Sequence, residues 1–410
     1  MKAELMVLAS TYPRWMNDHE PAFIHELAKR LTPDFHVRVV CPHAPGAKAL
    51  ESIDGVSIHR YRYAPDRLET LVSDGGIVSN LKRSPWKWLL LPGFILRQLI
   101  TVLLLIRRKR PDVIHAHWLI PQGLVAVLAR LFLRCPPPVL ITCHGSDLLT
   151  MRAAPLRHLK RWVTRQATAL TVVRASMCGI LEQYGADDRN ISTCPMGVDL
   201  AERFTPDASV PRSGREILFV GRLLPKKGLH LLLAAMPRVL ESLPDCSLTV
   251  AGFGPDGMRL KELAADLGIQ GVVTFCGAVE QQMLPALYRR AAVFVAPFDE
   301  NEGLGLVLVE AIGCGCPVVV SDVPAAREAA SGLDAVIMVR PGDSKALADG
   351  IIRCILETDG RDERTIQAVR EVRERFDWSS VAERYAGILS RLAASDENRT
   401  AADRPPQEGA

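Results

Sequence analysis

A chain of 410 residues is longer than one hydrophobic core usually supports, so two domains of roughly 200 residues each are expected. With 48% hydrophobic and 23% charged residues it fits a soluble α/β enzyme rather than a disordered or fibrous chain, and ten scattered cysteines with no Cys-x-x-Cys pair give no disulfide or zinc framework. The net charge of +4 is uneven: 26 Lys and Arg stand against 16 Asp and Glu up to Leu200, and 24 against 30 after it, nets of +10 and −6. That asymmetry fits either chance surface charge or an N-terminal half that meets an anionic surface or a lipid-linked phosphate.

The chain runs directly from Met1 into an apolar strand over Glu4–Ala9, so no secretory leader is expected and the expected compartment is the cytoplasm. Further strands are predicted at His36–Cys41, Val56–Tyr61, Asp112–His115, Val139–Thr142, Ala169–Val173 and Ile191–Cys194. Helical patterns lie between them over Pro21–Leu31, Pro121–Leu133, Pro155–Gln166 and Ala175–Tyr184. Residues 62–87 show little periodicity and read as a loop. Trp88–Ile106 is long and apolar and runs into Arg107–Arg110, but Pro92, Gly93, Arg97 and Gln98 interrupt it. An amphipathic helix fits better than a membrane span, either packed on the N-terminal sheet or also touching the bilayer interface.

From Glu216 the alternation starts again, with strands at Glu216–Gly221, Ser247–Ala251, Val272–Phe275, Val293–Pro297, Val318–Ser321 and Ala335–Val339. The fold class is therefore α/β, two Rossmann-like doubly wound parallel-sheet domains in tandem, with ligands expected in a cleft at the carboxyl ends of the strands. A last helix is expected to start at Phe376, and the polar stretch from Ala394 to Ala410 reads as a disordered tail.

Chemistry is concentrated at a few strand ends. Glu302 and Glu310 are separated by seven residues, and a continuous helix would set them roughly 12 Å apart, too far for the carboxylate pair of a hydrolase and suited to two ends of one long ligand. Gly303 and Gly305 let backbone amides approach a diphosphate between those ends. Arg222 follows one strand and Lys227 opens the next helix, a cationic pair placed to stabilise a leaving diphosphate. No Asp-x-Asp dyad occurs in the chain, so no metal is expected and the two cations would take its role. His144 stands in a His-Gly-Ser-Asp turn after a strand, with Asp147 set to orient it or a substrate hydroxyl, and His117 with Trp118 ends a neighbouring strand as an acceptor-side surface. Cys314 and Cys316 read as small packing residues in a Gly-rich turn.

The runs Val113–Trp118, Thr142–Asp147, Pro195–Asp199, Val220–Gly228, Ala251–Pro255 and Glu302–Pro317, taken together, resemble the retaining glycosyltransferases of family 4, which have the GT-B fold. The resemblance covers roughly residues 4–390. It implies an acceptor-side domain over 1–203, a nucleotide-sugar-binding domain over 204–375, and a crossover helix over 376–393 that packs back on the first domain. It implies a hexosyltransferase that uses a UDP- or GDP-sugar and no cofactor, acting on a glycan or lipid-linked acceptor in lipopolysaccharide, exopolysaccharide or glycolipid synthesis, at the inner face of a membrane. His144, Arg222, Lys227 and Glu302 would be catalytic. Arg222, Lys227, Glu302, Gly303, Leu304, Gly305 and Glu310 would bind the donor, Glu310 through the ribose hydroxyls, and His117 and Asp147 would lie on the acceptor side.

Two positions depart from the family pattern. Ser10–His19 replaces a Gly-Gly turn, and Met196 replaces an Asn in the turn ending at Asp199. A GT-B sugar-nucleotide 2-epimerase and a non-catalytic sugar-nucleotide-binding partner are the alternative readings. The absence of a Gly-x-Gly-x-x-Gly after the first strand argues against a Rossmann dehydrogenase.

Overall fold

The computed structural model describes residues 2–15, 23–72, 76–150, 153–357 and 361–402. The chain divides into two compact units, residues 1–195 with 381–410, and residues 196–380.

The first unit is built on an eight-stranded sheet of β1 (Ala3–Leu8), β2 (Phe35–Pro42), β3 (Leu50–Ile53), β4 (Val56–Tyr61), β5 (Val113–His117), β6 (Val139–Cys143), β7 (Ala169–Val172) and β8 (Ile191–Thr193), ordered β3-β4-β2-β1-β5-β6-β7-β8. All neighbours pair in parallel except β3, which runs antiparallel to β4. The central strands β5 and β6 are buried throughout, as a sheet covered on both faces requires. The order reverses between β1 and β5, so a crevice opens at the carboxyl ends of those strands.

The second unit holds six parallel strands, β9 (Glu216–Val220), β10 (Ser247–Ala251), β11 (Val273–Gly277), β12 (Val293–Ala296), β13 (Val318–Ser321) and β14 (Val336–Val339), ordered β11-β10-β9-β12-β13-β14. Its switch point lies between β9 and β12. One core joins Ile217, Phe219, Val293 and Val295 to Leu232, Leu233 and Met236 of the helix Leu229–Ser242 and to Leu347 and Ile351 of the helix Ser344–Leu356.

Two expectations are corrected. The stretch expected as a loop at residues 62–87 contains the helix Gly76–Arg83 and the start of a 3-10 turn at Pro85–Leu90, held in part by the buried Asn80 amide donating to Leu71 O. The edge strand β3 is too short and polar to stand out. The division into compact units falls at 195/196, since Val198 bridges to Asp377 and the Leu200 amide donates to the Asp377 carboxylate, which ties this turn to the second unit. The last helix runs Trp378–Ala402, with Asp377 accepting from Ser379 N and Oγ at its start. It therefore covers part of the stretch expected as a disordered tail, since Ala393–Ala402 contains good helix formers and no breaker before Pro405. The rest of that tail, 403–410, lies outside the described residues. From Val381 onward this helix belongs to the first unit, where Tyr385 Oη donates to Cys194 O.

Candidate active site

In the second unit the loops after β9 and β12 emerge side by side at the switch point. After β9 the chain passes Gly221 and Arg222, makes a 3-10 turn over Pro225–Lys227, and enters the helix Leu229–Ser242 through Gly228. Gly228 is left-handed at φ +73°, and a Cβ there would overlap the carbonyl of Pro297, so only glycine allows the two loops to come this close. Gly305 does the same on the other side at φ +71°, where a Cβ would come within 2.7 Å of the Phe298 ring.

This close approach assembles the charges. Lys227 Nζ lies 3.0 Å and Lys226 Nζ 3.6 Å from Glu302 Oε2, and Lys227 also sits 4.9 Å over the Phe298 ring. Glu302 is 6% exposed. Burial alone would raise its carboxyl, but Lys227, then Lys226, and the Gly303 amide hold it below the usual glutamate range. Its Oε2 shares charge with the lysines without an aligned hydrogen bond. Arg222 is different: its Nε is buried and has no hydrogen-bond partner among the described residues. A guanidinium nitrogen with no internal partner is chemically able to donate to an anion.

Glu310 lies within the short helix Leu306–Gly313 and accepts a 2.9 Å hydrogen bond from the buried Tyr288 hydroxyl. Burial raises its carboxyl to about 7, against the pull of Tyr288, Lys227 and Arg203. Lys227 therefore acts electrostatically on both glutamates. The ruler of one continuous helix does not apply to the pair, because Glu302 to Gly305 form a loop and the helix begins only at Leu306. Glycine stands at the N-cap of this helix and of the helix Leu229–Ser242, so neither has a capping side chain of its own. Leu304 is 6% exposed and packs inward, leaving contact with a ligand in this loop to its backbone and to Glu302. Cys314 and Cys316 are buried free thiols, in keeping with packing.

In the first unit, His144, Trp118 and Asp147 come from the loops after β5 and β6. The His144 ring keeps part of its surface exposed and stacks on His117 at 5.2 Å and 20°, with its Nε2 3.0 Å from His117 Nδ1. Trp118 and Phe23 flank it with centroids at 4.9 and 5.2 Å. Burial pushes the His144 imidazole down to about 3, so it stays neutral at physiological pH and serves as a hydrogen-bonding group rather than a cation.

Two acceptor-side expectations change here. His117 is 1% exposed and lies behind His144, so it presents no face to an acceptor and supports the His144 ring instead. Asp147 is 9% exposed and its oxygens are taken by backbone amides: Leu119 N at 2.8 Å, His144 N at 3.1 Å and Gly145 N at 3.0 Å. It clamps two loops together and orients His144 through the main chain. Asp147→Ala is expected to cost about 3 kcal/mol, because buried amides lose their acceptor. Thermal unfolding checks this, and an unchanged midpoint would contradict the clamp.

Sequence reading missed Tyr288, Lys226 and Phe298, whose roles come from strand order, not from local motif. It also missed a hydrogen-bonded chain in the first loop, where Tyr12 Oη meets His25 Nδ1 at 2.7 Å and His25 Nε2 meets Asp54 at 3.0 Å. In the Ser10–His19 departure this chain secures Tyr12, and residues 16–19 lie outside the described residues.

Comparison with known proteins agrees with this architecture. The family model described as Glycosyltransferase Family 4 matches residues 22–202, and the one described as Glycosyl transferases group 1 matches residues 203–372. A phosphatidyl-myo-inositol mannosyltransferase of Mycolicibacterium smegmatis is 37% identical over 291 residues, 69% of this chain and 72% of the relative. A glycogen synthase of Mycobacterium tuberculosis is 31% identical over 311 residues, 73% of each chain. Among solved structures, a sucrose-phosphate synthase from Thermosynechococcus elongatus superposes with TM-score 0.79 at 20% identity, covering 96% of this chain and all 100% of the other. Anabaena HepE in complex with UDP and glucose does so with TM-score 0.72 at 18% identity, covering 95% and 100%. The chain belongs to the group 1, family 4 glycosyltransferases of GT-B fold, and its activity is sugar transfer in glycan biosynthesis.

Proposed function

We propose that the chain is a retaining, metal-independent hexosyltransferase that takes its sugar from a UDP- or GDP-sugar, needs no cofactor, and works at the cytoplasmic face of a membrane on a glycan or lipid-linked acceptor. The observations that carry the donor assignment are the buried Arg222 Nε, without a hydrogen-bond partner among the described residues, and the Lys227–Glu302 ion pair, both in loops at a strand switch point where two helices begin. Relatives lend support: one solved neighbour is bound to UDP-glucose, and one curated relative is named for mannosyl transfer to a phosphatidylinositol.

In this reading Arg222 and Lys227 neutralise the charge that develops on the diphosphate as its bond to the anomeric carbon breaks. The acceptor oxygen bonds to the same face of the sugar, and its proton passes to the departing phosphate oxygen, so no protein base is required. Glu302, released from Lys227 by the incoming phosphates, accepts sugar hydroxyls, Glu310 accepts the ribose hydroxyls, and the neutral His144 hydrogen-bonds the sugar. Binding of one nucleotide family should raise the unfolding midpoint by several degrees in EDTA, the same with added magnesium. A thermal-shift panel of UDP, GDP and ADP tests this; stabilisation only with a divalent ion, or with none of the three, would sink the metal-free donor site.

A further inference from the structure

The segment Gly76–Arg110 has a property that donor binding does not use. It carries Lys82, Arg83, Lys87, Arg97, Arg107, Arg108, Lys109 and Arg110 and not one Asp or Glu. Its helix Leu91–Arg108 turns Phe94, Gln98, Val102, Leu105 and Ile106 into the first unit. The opposite face leaves Leu96 at 55%, Ile100 at 38% and Leu104 at 51% exposure, and Leu89, just before the helix, at 82%. Positions 96, 100 and 104 share one face of this helix, so the exposure is an apolar row, with Leu89 in the turn before it. Trp86 and Trp88, each nearly half exposed, precede it in the 3-10 turn Pro85–Leu90. Exposed Lys82 and Arg83 lie at one end of the row in sequence, and exposed Arg107 and Arg108 at the other.

By length and composition the 24 residues Pro85–Arg108 would suffice to cross a bilayer. Topology forbids it: the segment joins β4 to β5, which belong to one sheet, and a single crossing would place them on opposite sides of the membrane. An apolar row bearing tryptophans and bordered only by cations has the chemistry of a helix lying in the interface of an anionic bilayer.

We propose that this face docks the enzyme on an anionic lipid bilayer, lying in the headgroup region without spanning it. Lys109, at the C-terminal end of the helix, pairs with Glu4, and Arg97 Nε, within it, donates to Arg62 O, which ties the helix to the unit and leaves the apolar row to the lipid. The proposal rests on the transferase reading only for its purpose, since a bilayer is where a lipid-linked acceptor is met.

The test is sedimentation of the full chain with phosphatidylcholine vesicles, alone or mixed with phosphatidylglycerol. Binding should require the anionic lipid, weaken in high salt, and fall roughly tenfold or more in Leu96→Glu/Leu104→Glu and in Lys82→Glu/Arg83→Glu. The nucleotide thermal shift is measured on the same variants and should remain. Absence of binding, equal binding to neutral vesicles, or variants that bind like the parent would overturn the docking face. Resistance to alkaline carbonate would overturn it in favour of insertion, and self-association abolished by Leu96→Glu/Leu104→Glu without vesicle binding would overturn it in favour of a second copy of the chain. In the parent chain, no vesicle binding beside an intact nucleotide shift defeats only this inference; vesicle binding without any nucleotide shift defeats only the donor assignment.

Discussion

Lys227→Ala is expected to lower turnover by about a thousandfold, the scale seen when one group that stabilises developing charge is removed. The same change should cost about 3 kcal/mol of stability, because Glu302 is 6% exposed and loses the cation 3.0 Å away. Lys226, at 3.6 Å, should soften that cost. Adding Glu302→Gln should restore stability without restoring turnover. Arg222→Ala provides the contrast. Its Nε has no partner among the described residues, so turnover should fall on a similar scale while the unfolding midpoint barely moves. Steady-state kinetics and thermal unfolding on the three variants decide the matter. A loss of turnover under about tenfold for both cations would remove them from the diphosphate site.

Glu310→Gln is expected to make the unliganded enzyme more stable and less active. Burial raises the Glu310 carboxyl from 4.5 to about 7, so between those values the folded chain keeps a proton that the unfolded chain has lost. Stability therefore declines as pH rises from 4.5 to about 7 and is level above that. At about pH 8 the glutamine variant escapes a cost on the order of 3 kcal/mol at most, while near pH 4 the two proteins should be alike. Ribose hydroxyls donating to Glu310 favour its ionised form, so nucleotide binding should expel a proton and tighten as pH rises toward 7. Calorimetry in buffers of different ionisation enthalpy reads that proton directly. A buffer-independent heat at pH 6, or a glutamine variant that binds with unchanged pH dependence, would separate Glu310 from the ribose.

The strands that alternate with helices were legible because buried parallel strands are continuous apolar runs. Val318–Ser321 and Glu216–Val220 stand out in the sequence at nearly their observed limits. The edge strand Leu50–Ile53 and the helix Gly76–Arg83 were not, since both are half polar and owe their form to neighbours, β4 in one case and the Asn80 bond in the other. At the site, Arg222, Lys227, Glu302 and Glu310 could be picked out because each adjoins a strand end or a Gly-rich turn. What the sequence hid was how they pair. Tyr288 lies 22 positions from Glu310, and only the placement of its helix brings the hydroxyl to the carboxylate. His117 and Asp147 mislead for the same reason: a polar residue at a strand end looks like a ligand contact until the structure shows His144 and three backbone amides already occupying it.

The central claim is retaining transfer from a nucleotide-sugar without a metal. Its most direct test is proton NMR of the product formed from UDP- or GDP-hexose and a panel of alkyl glycosides and lipid acceptors, in EDTA. The account predicts a glycoside whose anomeric configuration matches that of the donor, formed at the same rate with magnesium and lost in Lys227→Ala. An inverted product, a requirement for metal, or a 2-epimer of the donor with no transfer would contradict it.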